Sequence, residues 1–361
     1  MNTEWQKLGW SAALAAQWAR WPDASDLAPA RVVAVDRDRL VLTDGSAPFS
    51  ARLSGSFVFH QPDPAQWPCV GDWVLVARGG RDDGEGLIQA VLERRTVLRR
   101  RGVGGMGEVQ LIAANVDTVV IVQSCHFDFN PNRLERYLVM VRDGGAQPWV
   151  LLTKTDLVTP EELAAQLAQI HAMGVDAPVM PLSQLSQDGV EAFRARLLSG
   201  QTYCFVGSSG VGKSTLINAL LGRSAQLTAV VSHTGEGRHT TVRRELVALD
   251  NGALVIDNPG MRAFGLIDAD VEAGGSFSDI TRRAADCRYA DCSHSGEPGC
   301  AVRAAVQAGE IEPGHLANYL KLREENAFYE LSSAGRRQKD KAFGKYVKSA
   351  KKSFSRAHDD D

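Results

Sequence analysis

Apolar positions change period several times along the chain. Tryptophans and alanines at helical spacing fill the first twenty positions, so residues 1–28 are expected to form one helix and a loop. From Ala30 the period drops to two. Alternating runs cover Arg31 to Val35, Leu40 to Thr43, Ala51 to Val58, Asp72 to Ala77 and Leu87 to Leu98, separated by Asp44-Gly45, Gly71 and a glycine-bearing stretch at 79–86. Five short strands at this spacing predict a small β-barrel, and an OB-fold or another small barrel satisfies the pattern equally. Further on, short continuous apolar runs alternate with helical segments, the signature of an α/β layer. Strands are expected over Val116 to Gln123, Trp149 to Leu152, Ala177 to Pro181 and Tyr203 to Val206. Helices are expected from Asn130-Pro131, with Asn130 as N-cap, and over Glu161 to Met173, Val190 to Leu198 and Thr215 to Leu221. Val242 to Leu249 and Ala253 to Ile256 meet through Asn251-Gly252, a hairpin signal. Three more helices are expected over Phe277 to Ala285, Ala301 to Ala308 and His315 to Ala334.

The stretch that carries chemistry lies between the strand at Tyr203 to Val206 and the helix that follows. Gly207-Ser208-Ser209-Gly210-Val211-Gly212-Lys213-Ser214 is a complete phosphate-loop pattern, continued by Thr215. Its glycines let backbone N–H groups turn toward phosphate oxygens, and the helix beginning there aims its positive end at the same anion. Lys213 can reach the outer phosphates, a catalytic part, and the Ser214 hydroxyl can ligate Mg²⁺.

Thr153-Lys154-Thr155-Asp156 follows the strand at Trp149 to Leu152 and fits a guanine-reading [N/T]-K-x-D motif. An Asp there accepts from guanine N1 and the 2-amino group; adenine offers neither donor in that arrangement. Thr153 stands where Asn is usual, and Ser183 falls where a short guanine-contacting loop is expected. Asp257-Asn258-Pro259-Gly260 fits D-x-x-G, in which Asp257 holds Mg²⁺ through water and the Gly260 N–H meets the γ-phosphate. The glycine-bearing segment 231–241 contains Thr240 and Thr241, either of which can serve as the Mg²⁺-ligating switch threonine. Met261 occupies the place of a water-orienting Gln. His239 is the nearest polar candidate for that task, and an exposed loop histidine is the equal alternative. The motifs are complete but permuted, the guanine motif preceding the phosphate loop.

Composition adds a metal. Cys287, Cys292, His294 and Cys300 lie within fourteen residues, a Cys₃His set that suits one closed, structural Zn²⁺ site, whereas the remaining cysteines are scattered. That distribution points away from a disulfide scaffold and toward the cytoplasm. No apolar run approaches a membrane span and no signal-peptide pattern opens the chain, so no membrane partner is expected. The net charge of −3 conceals a basic C-terminal stretch, 336–356, with nine Lys or Arg against Asp340. RNA phosphate is the preferred partner for it, a solvated tail the alternative. The same pair of readings applies to Arg94, Arg95 and Arg99 to Arg101.

Taken together, the order TKTD, GSSGVGKST, GRHTT, DNPG and C-x4-C-x-H-x5-C behind a small barrel resembles the RsgA (YjeQ/YloQ) family of bacterial small ribosomal subunit biogenesis GTPases, from about residue 30 to 330. The resemblance implies a circularly permuted P-loop GTPase domain of α/β class, with an N-terminal OB-like β-barrel and a C-terminal helical zinc-binding domain. It implies a GTP hydrolase that is slow alone, stimulated by the small subunit and active late in its maturation. The barrel and zinc domain would be arms that contact rRNA, and His239 would match the family's switch histidine. DNPG departs from the commoner DTPG at Asn258. The corresponding division is 1–29 N-terminal helix and linker, 30–100 barrel, 101–268 GTPase domain, 269–334 zinc domain and 335–361 basic tail. A monomer is expected. The competing class is an RNA-binding nucleotide switch in which hydrolysis is only a timer, unconnected with the ribosome. An ATP-dependent kinase or transporter subunit is disfavoured by Lys154-Thr155-Asp156.

Overall fold

The computed structural model describes residues 3–21, 26–36, 39–77, 85–101, 109–221, 244–257 and 277–330. The chain opens with two short helices, α1 (Thr3–Lys7) and α2 (Ala12–Ala19), where one was expected. Gly9 between them has φ of 84°, a left-handed conformation that ends a helix, and the Ser11 side chain accepts from Leu14 N to start the next. Their Trp5, Trp10 and Trp18 interlock edge to face, and Trp10 packs on barrel residue Trp73 at 4.7 Å between centroids.

Strands β1 (Ala28–Val35), β2 (Leu40–Thr43), β3 (Phe49–Leu53), β4 (Trp73–Ala77) and β5 (Gly86–Val91) close into a barrel. They run in the order β1-β2-β3-β5-β4, with β4 returning to β1. The β3–β5 pair is parallel and the other pairs antiparallel, an OB-like closure. The expected strand over Ala51 to Val58 is half strand and half helix. The Ser54 hydroxyl accepts from Phe57 N at 3.1 Å and starts α3 (Gly55–His60), although the apolar alternation runs on through it. The expected run Leu87 to Leu98 is also divided. β5 ends at Val91, and β6 (Val97–Arg101) pairs instead with β7 (Val109–Ala114) in a separate two-stranded sheet. The division expected at residue 100/101 falls inside β6.

The basic stretch here is engaged internally. Arg94 makes a bidentate pair with the fully buried Asp72 at 2.8–2.9 Å, Arg95 pairs with Asp117, and Arg99 pairs with Asp143. Those three side chains hold the barrel–hairpin corner together.

A parallel layer follows, built from β8 (Thr118–Ser124), β9 (Gln147–Thr153), β10 (Val179–Pro181), β11 (Thr202–Val206) and β13 (Leu254–Asp257), with β12 (Glu245–Ala248) antiparallel on β13. The order is β10-β9-β8-β11-β13-β12, so β11 inserts beside β8 although two strands separate them in sequence. β8 and β11 are buried at every position, as a strand covered on both faces must be. The connecting helices are α4 (Pro131–Asp143), α5 (Pro160–Ala172), α6 (Val190–Arg194) and α7 (Lys213–Leu221). β1 of the barrel pairs with β12 at Ala34 and Glu245, which joins both units into one eleven-stranded sheet.

Arg31 sits at that junction, 1% exposed. It donates to Leu8 O, Gly71 O, Asn115 O and the Thr202 hydroxyl, tying the N-terminal helices, barrel, hairpin corner and β11 together. Burial lowers its pKa to about 10, so the guanidinium stays charged and satisfied by oxygen acceptors.

The last unit comprises α8 (Ser278–Ala284), α9 (Ala301–Gln307) and α10 (Pro313–Glu330). Its Phe277, Ile280, Tyr319 and Leu322 share one buried core with Leu134, Tyr137 and Leu138 of α4. Across that seam the His315 ring hydrogen-bonds Glu135 of α4 and Asp279 of α8, and stacks on Phe277 at 4.9 Å. Burial alone would lower the His315 pKa, but the bonds to Asp279 and Glu135 outweigh it and raise the pKa to about 9. The folded pKa lies above the ordinary histidine value, so this contribution is complete below about pH 6.5 and disappears as pH rises through about 9. Thermal unfolding midpoints measured from pH 6 to pH 10 should therefore fall more steeply for the wild type than for His315→Gln. Parallel profiles would show that the seam is not held by a charged histidine.

Candidate nucleotide site and metal cluster

The parallel strands deliver their carboxyl ends to one edge of the sheet, where an open α/β layer forms its crevice. β11 runs into Gly207, whose φ is 143°. A Cβ at Gly207 would lie 2.2 Å from Val122 O, so only glycine lets the loop leave β11 against β8. The loop then turns through 208–212 into α7. The Lys213 ammonium lies inside the turn, 6% exposed, donating to Gly207 O at 2.8 Å and Ser208 O at 2.6 Å. Ser214 and Thr215 are exposed on the first turn of α7. The amino end of α7 and the Lys213 charge thus meet within the turn.

The neighbouring strand β9 ends at Thr153, 1% exposed. Its hydroxyl lies 2.6 Å from Val211 O and 3.1 Å from Gln123 O, and so bridges the guanine-motif loop, the phosphate loop and the end of β8. Lys154 follows in a left-handed conformation with φ of 60°, then a 3-10 turn spans Thr155–Leu157. The Asp156 carboxylate accepts from the Ser183 hydroxyl, and Ser183 is fully buried. The Ser183 oxygen in turn accepts from Leu185 N and Ser186 N, which folds the loop after β10 around it. The structure therefore brings Thr153 to Asp156, Ser183 and 207–215 to one place, and Asp257 ends β13 in register with Phe205 of β11. His239, Thr240, Thr241, Asn258, Gly260 and Met261 lie outside the described residues.

Two neighbours of the site had no signal in the sequence. Gln184 donates to Gly212 O at 2.9 Å and so anchors the phosphate loop to the loop after β10. Gln123, fully buried at the end of β8, holds Asn130 at both N and O, which sets the start of α4. The Gln184 bond joins loops that the strand order makes neighbours, and the Gln123 bonds close the short connection from β8 to α4.

The candidate metal ligands form a second cluster, in the loop between α8 and α9. One donor atom each from Cys287, Cys292, His294 and Cys300 lies within 4.8 Å of all the others. The Cys287 and Cys300 sulfurs are 4.0 Å apart, and His294 Nδ1 is 3.7 Å and 3.5 Å from them. A tetrahedral ion with the metal–sulfur and metal–nitrogen lengths of Zn²⁺ has ligand–ligand edges of about 3.5–3.8 Å, so this donor set could hold one such ion. His294 adopts φ of 62° to turn its ring inward, and Cys300 also caps α9, its sulfur accepting from Arg303 N at 3.5 Å. No helix among the described residues is long and apolar enough to cross a membrane.

Comparisons with known proteins agree with this geometry. Residues 91–267 match the family described as RsgA GTPase. The chain is 43% identical over 330 residues, 89% of each chain, to a protein of Opitutus terrae named small ribosomal subunit biogenesis GTPase RsgA. It also resembles the solved structure of YjeQ from Thermotoga maritima, with a TM-score of 0.62 at 24% identity over 83% of this chain and 98% of that one. YloQ, described as a circularly permuted GTPase, gives a TM-score of 0.59 at 24% identity over 87% of this chain and 99% of that one.

Proposed function

The chain belongs to the RsgA GTPase family, and from that premise we propose that it binds the small ribosomal subunit late in its maturation, hydrolyses GTP there and leaves as GDP accumulates in its site. It is a GTP hydrolase on a circularly permuted fold. The observation that carries the proposal is the Thr153 bridge. It fastens a guanine-reading loop to a phosphate loop, so base recognition and phosphate binding act as one site.

In this reading Gly207 to Thr215 cradle the phosphates with the Lys213 charge, while Asp156 reads the guanine edge with Lys154, Thr155 and Ser183 around it. Ser214, Asp257 and one of Thr240 and Thr241 would hold Mg²⁺, which supplies charge neutralisation at the phosphates. The Gly260 N–H meets the γ-phosphate and His239 orients the attacking water. Cys287, Cys292, His294 and Cys300 hold one structural Zn²⁺. The protein acts as a cytoplasmic monomer and contacts rRNA through its barrel, helical unit and basic C-terminal stretch. A switch with no tie to the ribosome is not favoured, because the Opitutus terrae relative carries subunit biogenesis in its name.

Base choice tests the site. Asp156→Asn should lower GTP affinity by about 10- to 100-fold and raise affinity for xanthosine triphosphate, because the amide donates to the xanthine 2-oxo group. Competition binding of the two nucleotides reads this directly, and an unchanged preference would remove Asp156 from base recognition.

A further inference from the structure

The segment between β8 and α4, residues 125–130, crosses the same edge of the sheet as the nucleotide loops. In it Phe127 is 58% exposed. Its ring does not pack into either core cluster of the nucleotide domain. It is held by the site instead. The Lys154 ammonium lies over its face, 4.5 Å from the ring centroid. Its far edge, Cζ, is 3.8 Å from where a Cβ at Gly210 would stand, so the ring tip faces the phosphate loop at Gly210. One aromatic ring therefore stands between Lys154 of the guanine motif and Gly210 of the phosphate loop.

Lys154 has reason to need such a partner. Its backbone is fixed in the left-handed region, but its four-carbon side chain carries rotamer freedom that nucleotide binding must restrict. Among the described residues no carboxylate pairs with Lys154, whereas the ring face offers the negative end of a quadrupole. A lysine already confined beside the crevice loses less freedom when its stem is laid along a base.

We propose that Phe127 is a positioning residue for the guanine nucleotide: it confines Lys154 by a cation–π contact and shields the phosphate loop at Gly210, prolonging nucleotide dwell time. The proposal rests on the reading of Lys154 as part of the base site. Phe127 acts through Lys154 and takes no part in the chemical step.

A cation–π contact at an exposed ring corresponds to about 2- to 5-fold in affinity, and the change should sit mainly in the dissociation rate. The experiment measures binding and release of a fluorescent GDP analogue by the full-length chain, first as wild type and then as Phe127→Leu and Phe127→Tyr. Leu keeps apolar bulk without a π face, and Tyr keeps the face. Phe127→Leu should release GDP about 2- to 5-fold faster, Phe127→Tyr at close to the wild-type rate, with unchanged thermal midpoints because the side chain is exposed. In a Lys154→Met background, where no ammonium remains, Phe127→Leu should add almost nothing. Wild-type release kinetics in the Leu variant, equal losses in the Leu and Tyr variants, or an undiminished Leu effect without the Lys154 ammonium would each overturn the proposal. Failure of the wild type itself to bind GDP would instead overturn the reading of the base site, so the two failures are distinguishable.

Discussion

Cys292→Ser should purify without its zinc and should open the region from α8 to the start of α10, while GTP binding largely survives. The reason is the division of labour between metal and core. Apparent binding energies of about 10–16 kcal/mol make structural zinc a folding term in small domains. Here the loop joining α8 to α9 contributes little apolar burial apart from Cys292 and Cys300 themselves. The inner part of the unit is different. Phe277, Ile280, Tyr319 and Leu322 are fully or nearly fully buried in the core that contains α4. Loss of metal should therefore raise hydrogen exchange by about 10²-fold or more across 285–300, and much less in α10. Zinc content by atomic absorption and exchange by mass spectrometry check this. A mutant that retains one zinc per chain would show that the ligand set is wrong.

How legible the site was in the sequence depended on distance along the chain. The phosphate loop needs only a strand, eight loop residues and a helix in succession, and all of these were readable at 202–221. So was the Cys₃His set, whose members are fourteen positions apart or fewer. The coupling between parts was not readable. Thr153 reaches Val211 across 58 positions, Arg31 reaches Thr202 across 171, and His315 reaches Glu135 across 180. No local period encodes such partners; the strand order and, for His315, the packing of α10 on α4 create them. A residue-type signal existed for Thr153, which stands where Asn is usual. Arg31 in a strand with buried neighbours also broke the alternation expected of a half-buried strand. Local misreadings had local causes. Apolar Phe57 and Val58 continued the β alternation after Ser54, yet the hydroxyl of Ser54 supplied a helix cap that the period could not reveal. The barrel's kind was undecidable from five strands, because OB-like closure is a matter of the parallel β3–β5 pair.

The second large effect concerns turnover. GTP hydrolysis by the isolated chain should be slow, on the order of 10⁻³ s⁻¹, as in GTPases awaiting a partner. Met261, in place of a water-orienting Gln, has no group that can align the nucleophile, and the proposed His239 must be set by what the protein binds. Mature small subunits should accelerate turnover by about 10²-fold or more. The permutation gives the coupling a route. β13 leads from Asp257 into the stretch that ends at Phe277, and Phe277 is buried beside His315 against α4. Ordering of the switch by γ-phosphate can thus bias the helical unit, and linkage requires the subunit to favour GTP over GDP to the same degree. Lys213→Ala should abolish turnover in both conditions, since its ammonium is the charge buried within the phosphate loop. The most direct test is steady-state GTP turnover with and without purified small subunits, for wild type and His239→Ala. The account predicts strong stimulation of the wild type and loss of most of it in the variant, with GTP binding nearly intact; equal turnover with and without subunits would contradict it.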